Sequence, residues 1–294
     1  MPNQKMMRRI IAALTCVYCL LDAFVCHASP LDEFQGVRSA AMGGAHRGVG
    51  TSNDTLMLNP AGMAVAKRYA LEMNYGYAGL SGGSVINVSA VDSKSGPVAG
   101  GVGYTLDVGG IYHARVHRIY FSTAYAITEY IAFGVTARHL RGQYTLNGAS
   151  TKLALFTGDA GLAITPMPGF TLGVTYHNIY ANQRSVTASP GIGTGIGFTK
   201  KGFTLASDIR IDIRNSKNRM SYHGGLEYFA FGRMPFRIGY LGNPRDLEKK
   251  NDLEHVITSG IGWVESKSAI DVSYQHSLSE PKHWVIMSAL KFFL

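Results

Sequence analysis

The sequence predicts an all-β protein: an antiparallel transmembrane β-barrel of about 14 strands, preceded by a section that does not follow the strand pattern. Three observations predict it. Residues 203–214 put Phe203, Leu205, Ile209, Ile211 and Ile213 on one parity and Thr204, Asp208, Arg210, Asp212 and Arg214 on the other. A strand points alternate side chains to opposite faces, so this one has an apolar face and a charged face. Segments of about ten residues repeat that alternation from Tyr69 to the C-terminus. The N-terminus carries an export signal. Together these describe strands with lipid outside and a polar lumen inside.

The signal is read over residues 1–29. Lys5, Arg8 and Arg9 form a basic start, an apolar run extends from Ile10 to Cys26, and the small residue Ala28 precedes Ser29-Pro30. That order marks a cleavable secretory signal. Cys16, Cys19 and Cys26, all three cysteines of the 294-residue chain, lie inside it. The exported part therefore has neither a disulfide framework nor a thiolate metal site. Export followed by barrel insertion implies the bacterial outer membrane.

Residues 30–68 form the second section. They are rich in Gly, Ala and Met and interrupted by Met42-Gly43-Gly44-Ala45 and Asn59-Pro60-Ala61-Gly62-Met63. Asn59 can cap a helix and Pro60 suits its first turn, so a short helix is expected to start there.

The barrel occupies residues 69–294. The first strand alternates Tyr69, Leu71, Met73, Tyr75 and Tyr77 with Ala70, Glu72, Asn74 and Gly76. Further strands are expected near 84–92, 98–106, 115–126, 130–141, 152–164, 170–179, 189–199, 203–213, 220–230, 236–241, 256–264, 269–277 and 283–294. Most approach the length a tilted strand needs to cross the hydrocarbon. Turns such as 128–129 and 200–202 are short, and links such as 142–151, 180–188 and 242–255 are longer, which places both chain ends on the periplasmic side. Tyr69, Tyr77, Tyr130, Phe170, Tyr228, Trp263 and Trp284 sit near strand ends, where interface girdles form. The last strand carries Trp284, Ile286, Ser288, Leu290, Phe292 and Leu294 on one face. Outer-membrane assembly machinery reads such a strand.

Mean hydropathy is +0.03, as expected when only alternate residues face lipid. The formal charge is +9; the signal carries a surplus of two, leaving +7 for the rest. The basic residues are dispersed and do not cluster beside aromatics, so lipid headgroups suit them better as partners than nucleic acid does. Chemistry is not indicated. His113 and His117 have no third ligand beside them, and no Gly-x-Ser-x-Gly elbow occurs. The chain is read as a non-enzyme without a cofactor.

Arg38-Ser-Ala-Ala-Met-Gly-Gly-Ala45 followed by Asn59-Pro-Ala-Gly-Met63 resembles the N-terminal signature of FadL-type outer-membrane transporters, shared with PorV/PorQ-type barrels. Asp159–Asn178, Gly224–Tyr228 and Arg237–Tyr240 resemble the same superfamily. The resemblance implies a 14-stranded barrel whose first section, residues 30–68, folds into the lumen as a plug shaped by Met42, Gly43, Gly44, Ala45, Asn59, Pro60, Ala61 and Gly62. It also implies passive transport of small hydrophobic or amphipathic, fatty-acid-like molecules. The alternative is a structural or secretion-associated barrel that docks partner proteins.

Two interior features bear on that choice. Arg118, Arg138, Asp208, Arg210, Asp212, Glu227 and Asp271 take the inward parity and are expected to form a lumenal charge network. Buried charges need partners, so mutual pairing is favoured over substrate contact. Gly191, Gly193, Gly195 and Gly197 share one parity and leave a flat inner wall against which the plug can press.

Overall fold

The computed structural model describes residues 34–79, 82–110, 113–146, 149–180, 188–213, 219–244 and 253–294. The expected signal over residues 1–29 lies outside these. Fourteen antiparallel strands close into one barrel, each paired with its sequence neighbours, and the first pairs with the last. They are β1 (Tyr69–Ala78), β2 (Gly83–Asp92), β3 (Val98–Gly109), β4 (Ala114–Ala126), β5 (Ile131–Leu146), β6 (Ala149–Met167) and β7 (Phe170–His177). The round continues with β8 (Gly191–Lys200), β9 (Phe203–Asp212), β10 (Arg219–Ala230), β11 (Met234–Pro244), β12 (Leu253–Val264), β13 (Ser268–Ser277) and β14 (Trp284–Phe293). Closure leaves no exposed sheet edge at the β1–β14 seam, as a membrane-spanning sheet requires.

The faces are as the alternation predicts. Ile209 is 41% exposed and Leu205 52%, whereas Asp208 between them is 1% exposed. Leu71 and Met73 on β1, Ile86 and Val88 on β2, Phe133 and Val135 on β5, and Ile270 and Val272 on β13 all face outward. A continuous apolar exterior of this extent is not found on soluble monomers; it is a lipid-facing belt.

Strand limits differ by a few residues at several ends, with β3 reaching Gly109, β11 spanning Met234–Pro244 and β12 starting at Leu253; two further differences have a local cause. The expected link over 142–151 is mostly strand: β5 and β6 stay paired up to Leu146↔Ala149. The added outward side chains, Gln143, Thr145, Ser150 and Lys152, are polar, so hydrophobic alternation could not reveal them. By contrast β7 stops at His177. Asn178 adopts φ 55°, donates its backbone N–H to Asp159 (2.9 Å) and its side-chain amide to the Ser189 carbonyl (2.8 Å). Asn is among the few residues that take the left-handed region readily, and here it turns the chain out of the ladder.

Residues 34–68 fill the lumen. Three short helices, α1 (Val37–Ala41), α2 (Thr55–Leu58) and α3 (Gly62–Val65), are linked by tight turns. Helix α1 packs on β11–β14, α2 on β3 and β4, and α3 on β3–β6. Val37, Ala40, Leu56, Met57, Ala61 and Met63 form one apolar cluster with Val85, Val91, Tyr120, Val285 and Met287 of the wall. Met42, Ala45 and Val49 form a second with Ala206.

Candidate functional site: the plug and the lumen

Gly43 and Gly44 make the first tight turn of the plug, at φ 65° and 80°. This is a conformation that glycine adopts without steric cost. The turn lies on the wall. The Gly43 N–H donates to Thr258 Oγ1 (3.0 Å), whose hydroxyl donates to the Ala41 carbonyl (2.9 Å). His223 Nδ1 donates to the Gly43 carbonyl (2.7 Å). Met42 and Ala45 are fully buried beside it.

Asn59 joins plug to plug and plug to wall. Its amide donates to the Arg47 carbonyl (3.0 Å) and the Leu162 carbonyl of β6 (3.2 Å), and its Oδ1 accepts from the Ala61 N–H (3.2 Å). The expected helix thus begins with a turn at Asn59-Pro60, and its regular part starts at Gly62. Asn53 reaches Ser89 Oγ of β2 in the same manner (3.1 Å).

The wall admits these backbones because it is glycine-rich where they touch it. A Cβ added at Gly134 would lie 2.5 Å from the Pro60 carbonyl carbon. Added at Gly197, it would meet Val49 and Gly48; at Gly193, Arg47; and at Gly195, the Asp208 carboxylate first and then Arg47 Cβ. Three of the four β8 glycines therefore face the plug. Gly191 faces Ile211 and Arg210 of β9 instead.

The inward charges form separate groups. In the largest, Glu227 (0% exposed) accepts from Arg38 of the plug at Nη2 (2.6 Å) and Nε (3.0 Å) and from Arg237 Nε (2.6 Å). Arg237 Nη1 reaches Asp271 (2.5 Å), and Lys291 lies between Asp271 (3.1 Å) and Glu72 (3.6 Å). The six residues alternate in sign, which offsets the desolvation each would suffer alone.

A second group is centred on Asp208. It accepts from the His46 N–H (2.9 Å) and the Arg47 N–H (2.8 Å) and pairs with the Arg47 guanidinium (3.3 Å). Arg118 pairs with Asp107, and Arg138 with Asp159, which His177 also approaches (3.5 Å). Arg210 and Asp212 stand half-buried towards the rim, with Ser189 bonded to Asp212. The structure therefore joins Glu227 to Asp271 and ties Asp208 to the plug, and it places Arg118 and Arg138 in pairs of their own. Arg214 lies outside the described residues.

Arg38, Arg47, Glu72, Asp107, Asp159, Arg237 and Lys291 are partners that sequence reasoning did not assign. Strand parity alone puts Glu72, Arg237 and Lys291 inward. The plug arginines carry no periodic signal.

Inside the plug, His46 Nε2 contacts Ser52 Oγ (3.1 Å) and lies 4.0 Å from Asp54. Burial, followed by the Arg38 charge, holds the imidazole well below its ordinary pKa, so it is neutral near pH 7. Burial pushes the Asp54 carboxyl up, although it accepts the Ser39 N–H (3.1 Å).

Beneath the plug, at the end where β1 begins and β14 ends, lies a cavity of about 560 Å³. Val65, Phe229, Val264 and Phe293 give it apolar patches, the six ion-paired residues around Glu227 line it too, and Arg68 stands beside them. One Arg68 nitrogen, Nη2, donates to the Ser52 carbonyl; Nε and Nη1 are buried without a partner. On the opposite side of the plug a smaller cavity, about 40 Å³, is lined by Arg118, Tyr120, Arg138 and His177. Among the described residues, no group of His, Cys, Asp and Glu is arranged to hold a metal ion.

No protein-family model matches this sequence, and no curated protein matches it either. Solved structures do match. The Ralstonia pickettii toluene transporter TbuX superposes with a TM-score of 0.67 at 14% identity, over 90% of this chain and 98% of that one. The Pseudomonas putida toluene transporter TodX gives 0.66 at 12%, over 90% and 97%. A Pseudomonas aeruginosa FadL homologue gives 0.61 at 10%, over 88% and 97%. At these identities the likeness is one of architecture: the chain shares the overall fold of these transporter structures.

Proposed function

We propose that this protein is an integral outer-membrane barrel that passes small amphipathic molecules passively, with residues 34–68 as the element that closes the lumen. Residues 1–29 would direct export and be removed, and β14 would be the strand read during assembly. The superposed toluene transporters and FadL homologue support a hydrophobic solute. The observation that carries the amphipathic reading is the cavity beneath the plug. Its volume falls within the range of small-molecule sites, its lining combines apolar side chains with the ion-paired group around Glu227, and Arg68 beside them has two buried donor nitrogens without a partner. An acidic head on Arg68 and a hydrocarbon tail against Val65, Phe229 and Phe293 would satisfy both. Residues Met42–Ala45 and Asn59–Gly62 would seat the plug, and the lumenal ion pairs would hold it.

The test is equilibrium binding to the purified barrel in lipid nanodiscs. Decanesulfonate is expected to bind, and Arg68→Gln to weaken it by ~1.5–3 kcal/mol, the worth of hydrogen bonds to a charged group. Decanol binding is expected to be unchanged by the substitution. Decanesulfonate binding that ignores Arg68 would remove the assigned head-group site.

One observation favours the second reading, a scaffold barrel that docks partner proteins. The inner wall is crossed by ion pairs, and the space on the far side of the plug is small. A scaffold requires no solute path, so flux separates the two.

A further inference from the structure

We infer that the outer face of β4–β6, at the end opposite the start of β1 and the close of β14, is a binding surface for phosphate-bearing headgroups of outer-leaflet lipid. Outward parity there presents Arg115 and His117 on β4, His139 and Arg141 on β5, and Lys152 on β6. The register makes them neighbours: His117 pairs with Arg141, and Gln143 links Arg115 to Lys152. Arg115, His139, Arg141 and Lys152 are exposed. None of the three permanent cations has a carboxylate within ion-pair distance among the described residues. The outward positions of β3–β6 contain no Asp or Glu.

Height fixes what this patch meets. Directly towards the end where β14 closes, the same outward rows become Ile119 and Phe121 on β4, Val135 and Phe133 on β5, and Phe156 on β6. The cations therefore crown the lipid-facing belt at the headgroup level. Elsewhere at this level the wall carries Tyr and His, as in Tyr240–His255 and Tyr274–His276, whose rings pair with each other. Among the described residues, only β4–β6 adds a cluster of full positive charges there. It is also the tallest part of the wall, with β5 of 16 residues and β6 of 19. Unpaired Arg and Lys at a membrane interface attract anionic headgroups, and Arg presents two donors to a phosphate.

The test uses the full barrel in nanodiscs of zwitterionic lipid. It is titrated with a diphosphorylated acylated disaccharide lipid and with the same lipid after dephosphorylation, and bound lipid is counted by native mass spectrometry. The wild type is expected to retain the phosphorylated form preferentially. Arg115→Gln/Arg141→Gln/Lys152→Gln is expected to lose roughly fivefold in affinity per cation removed, about a hundredfold in all. Lys200→Gln/Lys201→Gln/Lys267→Gln, an equal charge change at the opposite end, is expected to change nothing. Heat-modifiable gel migration confirms that each variant is folded. Equal retention of the two lipids by the wild type, or equal retention of the phosphorylated form by both triple variants, would overturn the inference. An acidic protein partner would then be the surface's remaining match.

Discussion

Replacing Glu227 by Gln tests how the plug is held. The carboxylate is completely buried and accepts three charge-assisted hydrogen bonds, two of them from Arg38 of the plug. An amide of the same shape keeps one acceptor oxygen and removes the charge. Arg237 retains Asp271, so the wall side stays satisfied. Arg38 loses its carboxylate partner and keeps, among the described residues, Thr51 (3.1 Å) and at most the amide oxygen. Breaking a buried pair by neutralising one partner costs ~3–5 kcal/mol. At the lower bound, the ratio of undocked to docked plug rises by about 150-fold. Single-channel recording in planar bilayers reads this directly: brief large-conductance openings, rare in the wild type, become frequent in Glu227→Gln. Adding Arg38→Gln should increase them far less than additively, because both changes break one interaction. Heat-modifiable migration should persist, since the strand ladder is untouched. An opening frequency equal to wild type in a folded Glu227→Gln barrel would refute the idea that this pair anchors the plug.

Asn59→Ala removes three hydrogen bonds and leaves the Leu162 and Arg47 carbonyls short of a donor; ~2–3 kcal/mol of docking should be lost, seen as faster proteolysis of the plug in folded barrels. Gly134→Val brings a side chain against Pro60 and should raise conductance while the barrel still folds, whereas Gly100→Val, which points into open space, should be silent. For His46 the folded pKa lies below the unfolded value of about 6.5. Its contribution is therefore complete above that pH and is lost as pH falls below it. Openings should become more frequent on acidification from pH 7 to pH 5, and His46→Gln should reduce that dependence.

The barrel was legible in the sequence because lipid imposes one simple rule. Asp208 and Ile209 differ in exposure as their parity requires, and the same rule recovered all fourteen strands. It fails where neither face is apolar, as in the upper β5–β6 hairpin, and where a single Asn redirects the chain after His177. The lumen was half legible. Parity gives a side chain its face but not its height, which is why Arg210 and Asp212 stand near the rim rather than within the ion-pair chain. Parity also points Arg237 and Lys291 inward. Their partners, however, come from strands far apart in sequence and from a plug with no period. The Arg38–Glu227 contact spans 189 residues; no local pattern announces it. The plug's glycine-rich turns could be read as turns, and their fit against Gly134, Gly195 and Gly197 becomes visible only in three dimensions.

The claim that this barrel is a solute conduit meets its most direct test in proteoliposome flux. Decanesulfonate, whose fixed charge slows its crossing of bare lipid, is compared with sucrose in vesicles bearing the wild-type protein, the Glu227→Gln variant or no protein. The account predicts that the wild type speeds decanesulfonate but not sucrose, and that Glu227→Gln speeds decanesulfonate further. Decanesulfonate flux no faster with folded protein than in empty vesicles would contradict it and leave the barrel a scaffold.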